Sequence, residues 1–201
     1  VDTAAEVQAL VNAYLKVLEK DDDAQYELLG VSGLSAPVVA LDVGTLALRV
    51  QPSGAGSAFL SNVGALNVAT VLGVAGAQVG GDWVLTSGTS ATSLNVQANV
   101  ITGGALRLDS RGSMSVLADV QAQGSLTMLA ASSLSTAVGA DVLSLTGDIT
   151  LGATIAMDLA GDVTSTSGSA WVQTGANLTF ETINAASGKV VLQAGNIMGK
   201  T

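Results

Sequence analysis

From about residue 41 onward the chain alternates apolar and polar positions in short runs, and the alternation recurs in phase. Six glycines mark the phase: Gly81, Gly104, Gly124, Gly147, Gly168 and Gly188, at spacings of 23, 20, 23, 21 and 20 residues. Two residues after them stand Trp83, Leu106, Leu126, Ile149, Ala170 and Val190. Four residues after stand Leu85, Leu108, Met128, Leu151, Val172 and Leu192, and ten after stand Ala91, Met114, Leu134, Met157, Leu178 and Met198. Every position in these columns is apolar. The column at three is mixed: Val84, Arg107, Thr127, Thr150, Trp171 and Val191. Period two is the pattern of a strand with one buried face and one outward face. A further apolar cluster precedes the anchors, at Val100, Val120, Val142 with Leu143, Val163 and Ile183.

Each unit of about 20 residues therefore offers three short strands separated by turns. No unit can bury its inward face alone, whereas stacked units turn each inward column into a continuous ladder. Composition and period agree on an all-β chain wound as a parallel β-solenoid of about 7–8 coils, roughly 35–40 Å long at the spacing of adjacent strands. An antiparallel sandwich also uses short strands, but it gives no reason for a phase held through successive units. Residues 41–80 follow less cleanly: Leu41, Val43, Leu46 and Leu48 alternate in part, and Gly64 serves as an earlier anchor with Leu66 and Val68 at the matching offsets.

The first 40 residues read differently. Thr3 to Glu6 has the form of a capping box, and Val7, Leu10, Val11, Tyr14, Leu15, Val17 and Leu18 follow at helical spacing. A helix over 3–20 is expected, stopped by Asp21, Asp22 and Asp23, whose charges oppose the dipole at a helix C-terminus. Residues 26–40, with Pro37, read as a turn entering the first strand. The division is thus 1–40, a helix and lead-in suited to capping the first coil, and 41–201, the repeats.

Charge and missing side chains narrow the chemistry. The 201 residues hold 7 basic and 16 acidic groups, a net charge of −9, with no Cys and no His. That excludes thiolate and imidazole catalysis and Cys/His zinc sites, and an acidic chain argues against a nucleic-acid partner. No apolar run reaches the ~18 residues of a membrane span, and the opening residues lack the pattern of a signal peptide.

The phrases Gly147-Asp-Ile-Thr-Leu, Gly124-Ser-Leu-Thr-Met and Gly188-Lys-Val-Val-Leu-Gln-Ala-Gly-Asn-Ile resemble the repeats of filamentous-haemagglutinin-like and other giant bacterial surface adhesins, over roughly residues 81–201. Val1-Asp-Thr-Ala-Ala-Glu-Val resembles helical segments between modules of such proteins. The resemblance implies a right-handed parallel β-helix, an extracellular location on a bacterial surface, and a role in adhesion, spacing or matrix building among other surface components.

Several local motifs have plainer readings. Ala194 to Thr201 fits a loose phosphate-loop pattern, but it keeps the phase of the repeats and lacks a following helix. Gly81-Asp82, Gly147-Asp148 and Gly161-Asp162 hint at calcium, yet Gly-Asp steps also make turns. Asn177-Leu-Thr179 has the form of a glycosylation sequon. Arg107, Asp109 and Arg111 share a surface, with a local ion pair the simpler reading. Thr164-Ser-Thr166 stands alone, without a regular array. No catalytic, cofactor-binding or metal-ligating residue is assigned. The expected role is a non-catalytic rod or spacer. The alternatives are a filament subunit stacking through its ends, because the sequence breaks off within a unit after Met198, and a carbohydrate-active β-helix with a charged groove.

Overall fold

The computed structural model describes residues 38–50, 56–89 and 91–200, together with the backbone of 23–28. They form a parallel β-solenoid of about seven turns. One face is an eight-stranded sheet that begins at Val39–Leu41 and Ala58–Asn62. It continues through Trp83–Ser87, Leu106–Ser110, Leu126–Ala130, Ile149–Ala153 and Ala170–Thr174 to Val190–Gln193. The second face carries Leu66–Val68, Leu94–Val96, Met114–Val116 and Leu134–Thr136, and the third carries Ala77–Val79, Val100–Thr102, Val120–Ala122 and Val142–Ser144. Three longer strands, Thr45–Val50, Met157–Ser165 and Asn177–Ala185, run across the corner between the second and third faces and join them into one 13-stranded sheet.

The registers are those of the sequence columns. Trp83, Leu106, Leu126, Ile149, Ala170 and Val190 lie opposite one another in turn, as do Leu85, Leu108, Met128, Leu151, Val172 and Leu192. On the third face Val100, Val120, Val142, Val163 and Ile183 form one ladder. These columns are buried up to the last rung, and they merge into a single core that runs the length of the stack. Small and medium side chains suit so narrow an interior. The one large exception, Trp83, has Ala58 beneath it in the ladder, which makes room for the indole.

Two members of the column at ten are corrected. Leu94, not Ala91, pairs with Met114, because the turn after Ser87 is longer here; it uses Gly88 at φ +90° and Ala91 at φ +36°. At the last rung Ile197 pairs with Leu178, and Met198 falls opposite Thr179 on the outward side. Gly64 is no anchor of the same kind. Leu66 and Val68 lie on the second face, against Leu94 and Val96, while Ala58–Asn62 is the rung before Trp83. The irregular early spacing has a visible cause: an antiparallel hairpin, Thr70–Val71 with Val74–Ala75, stands out between the second and third faces.

The helix expected over 3–20, with its capping box, lies outside the described residues, and among the described residues there is no helix. The turn expected at 26–40 is corrected in part. Asp23–Leu28 is a strand, paired in parallel with Thr45–Val50, so ladder pairing begins upstream of residue 41.

The corners explain the serines, threonines and glycines. Ser144 Oγ lies 2.8 Å from Gly124 O and 2.7 Å from Gly147 O, and it accepts the Gly147 N–H at 3.2 Å. Ser165 repeats the arrangement one coil on, toward Gly147 O and the Gly168 N–H. On the first face Ser110 reaches Thr92 O and Ser113 O, and Asn62 takes the Val43 N–H and returns a bond to Val43 O. Bending the chain leaves carbonyls turned inward, and a buried carbonyl needs a donor. The phase-marking glycines answer a second constraint. A Cβ on Gly168 would stand 2.4 Å from Gly147 O, and one on Gly188 would stand 2.3 Å from Gly168 O. Consecutive coils come too close there for any side chain.

Candidate functional site

Two surface features combine charge with shape. The first is a column of side chains at the corner between the second and third faces. Asn99 Oδ1 accepts the Asp119 N–H at 3.3 Å, Asp119 Oδ1 accepts the Asp141 N–H at 3.1 Å, and Asp141 Oδ1 accepts the Asp162 N–H at 3.1 Å. Each carboxylate thus caps the next coil. At the corner before the first face, Asp82 and Asp148 do the same for the Ala105 and Ser169 N–H groups, at 2.8 and 2.7 Å. The Gly-Asp steps at 81–82, 147–148 and 161–162 therefore take part in inter-coil hydrogen bonding. Among the described residues no three acidic side chains converge as a metal site would require.

Asp119, Asp141 and Asp162 stack on successive coils, so like charges stand in one exposed column where solvent screens their repulsion. Asp141→Asn keeps the acceptor oxygen and removes both repulsions. The variant is expected to be at least as stable as the parent chain in urea titrations at low ionic strength, with any gain shrinking in concentrated salt.

The second feature is an open groove of about 850 Å³ along the corner between the first and second faces. It crosses the rungs from Leu106–Ser110 to Val190–Gln193, roughly 19 Å at about 4.8 Å per rung. Its wall is the outward column Asp109, Leu129, Gly152, Gln173 and Gln193, which are successive partners in the ladder. Its other side is the turn that follows each strand, with Arg111, Ala131, Thr154, Gly175 and Gly195. Leu129 leans across Gly152 and fills the space beside it: a Cβ there would stand 2.8 Å from the Leu129 Cδ2.

Charge is concentrated at one end. Arg107 Nε donates to Asp109 Oδ2 at 2.8 Å, and its Nη2 lies 2.8 Å from the same oxygen. This is the local ion pair the sequence suggested. Arg111 shares the groove but makes no ion pair among the described residues. Among the described residues that line the groove, Asp109 is the one carboxylate, and it is paired with Arg107.

The remaining motifs are placed as follows. Asn196–Gly199 of the phosphate-loop pattern is a strand paired with Asn177–Ala185, and Lys200 Nζ lies 2.5 Å from Asp158 Oδ1. That contact and the Thr179 hydroxyl, at 2.6 Å, hold the Asp158 carboxyl below its ordinary pKa. Asn177 and Thr179 of the sequon lie in the same strand, with Thr179 bonded to Asp158. No helix among the described residues is long and apolar enough to cross a membrane.

Sequence reasoning missed the groove and the hydroxyl columns, and of these the first-face column leaves a signal. Six residues after the anchor stand Ser87, Ser110, Ala130, Ala153 and Thr174, all small or hydroxylic, one strand step beyond the apolar pair. Comparison with protein-family models, with curated proteins and with solved structures finds no match to this chain.

Proposed function

We propose that this chain is a non-catalytic structural segment of a large extracellular bacterial surface protein, a right-handed β-helical rod that spaces or presents adhesive surfaces. The observation that carries this reading is the unbroken ladder: the same columns stay in register from Val39–Leu41 to Val190–Gln193. Parallel strands bonded along one axis resist bending, and each coil adds length at constant cross-section. The hand follows the strong preference of parallel crossover connections, and the surface location follows the adhesin-like repeats over 81–201.

The test is localisation with function. Antibodies raised against the chain are expected to label intact cells that produce it, and excision of these coils is expected to lower attachment. Labelling confined to permeabilised cells, or turnover of a polysaccharide by the purified chain, overturns the reading. A second reading is a filament subunit that stacks end to end. Sedimentation velocity over a range of concentrations decides it, and a strictly monomeric particle excludes stacking.

A further inference from the structure

The groove beside the first face combines features that a charge-neutral spacer surface has no need of. The chain carries a net charge of −9, yet Arg107 and Arg111 stand together at one end of this groove, while Arg49, Lys189 and Lys200 lie apart. With Asp109 neutralising Arg107, the uncompensated charge is that of Arg111. A guanidinium presents a planar fork of donors that matches a carboxylate in a two-bond contact. Further along, Gln173 and Gln193 are in-register neighbours on adjacent rungs. Each offers a planar amide with both donors and an acceptor, the complement of paired hydroxyls. One strand step before Gln173, on the same outward side, Trp171 is half exposed in a chain that is 3% aromatic. Side chains two apart in a strand share a face, so the indole stands at the rim of the groove. An exposed indole on a flat sheet is a platform whose apolar face can receive the C–H face of a sugar ring, while its N–H stays wet.

We infer that the groove binds a linear, carboxylate-bearing oligosaccharide lying along the solenoid axis, with an acidic sugar at Arg111, hydroxyls on Gln173 and Gln193, and a ring stacked on Trp171. The length fits an extended chain of several residues. A nucleic acid would meet the same Arg111, but it does not pair a sugar-ring C–H face for Trp171 with the hydroxyls placed on Gln173 and Gln193, and the oligonucleotide arm of the test separates the two. The binding surface is independent of whether the rod resides on a cell surface, so its failure leaves the structural reading in place.

Oligogalacturonate, its methyl ester and a neutral cello-oligosaccharide serve as probes in titration calorimetry and tryptophan fluorescence. The acid is expected to bind saturably and to quench the emission of exposed Trp171, while that of buried Trp83 stays constant. Arg111→Ala and Trp171→Ala are each expected to weaken binding at least tenfold with unchanged melting curves. Gln173→Ala provides a third variant should either of these melt early. The ester is expected to lose the share that Arg111 supplies. No saturable binding of the acid, equal binding of acid and ester, or undiminished binding by Arg111→Ala overturns the inference. So does tighter binding of a single-stranded oligonucleotide at the same ionic strength.

Discussion

Leu108→Ala is expected to cost about 2–5 kcal/mol, the range for emptying a closed aliphatic site. Leu108 is fully buried between Leu85 below and Met128 above, each in register with it. The neighbours cannot collapse into the void without shifting their own rungs, because backbone ladders hold all three. Domains have total stabilities of about 5–15 kcal/mol, so the loss is a large share of the whole. Leu192 occupies the same column at the last described rung, where it is only partly buried. Leu192→Ala is therefore expected to lose less than half as much. Urea denaturation followed by circular dichroism measures both. Equal losses would mean that the interior and the last rung of the column are packed alike, contrary to their burial.

Gly168→Val is expected to be at least as damaging, by a different route. The added Cβ would stand 2.4 Å from Gly147 O and 2.6 Å from Asp148 Oδ1. The first contact drives two coils apart. The second displaces the carboxylate that accepts the Ser169 N–H at 2.7 Å. Overpacking against side chains costs about 1–3 kcal/mol, and here the obstacle is backbone, so a loss of about 3 kcal/mol or more is expected. Gly64→Ala is the matching control: a Cβ there meets nothing within 4 Å, and its melting temperature is expected to stay near that of the parent chain. A Gly168→Val chain that melts with the parent would show that the coils can separate at this corner without cost.

Much of this architecture was legible because a solenoid writes its inward columns directly into the sequence. Leu85 to Leu192 and Trp83 to Val190 could be aligned by counting from a glycine, since that glycine marks a point where coils touch. Counting failed where a turn changed length. The longer bend after Ser87 moved the buried position from Ala91 to Leu94, and a shorter one moved it from Met198 to Ile197. Gly64 misled because Leu66 and Val68 alternate as well as any first-face pair, and alternation does not say which face a strand occupies. The groove stayed hidden for a related reason. Arg111, Gln173 and Gln193 are far apart in sequence and polar, and polar outward positions have no partner to betray their register. Asp109 beside Arg107 was visible because both lie on one strand.

The hairpin at Thr70–Val71 and Val74–Ala75 carries a wider lesson. Residues 69–76 depart from the winding between Leu66–Val68 and Ala77–Val79, yet both strands resume pairing with the next coil, at Leu94–Val96 and Val100–Thr102. At its tip Leu72 is 87% exposed with φ +47°, followed by Gly73 at φ +87°. The fold therefore tolerates a guest sequence at this bend without losing count of its own turns. Longer inserts grafted between Val71 and Val74 should be carried outward like a pennant on a mast, which makes this bend a natural port for displaying foreign loops or whole modules.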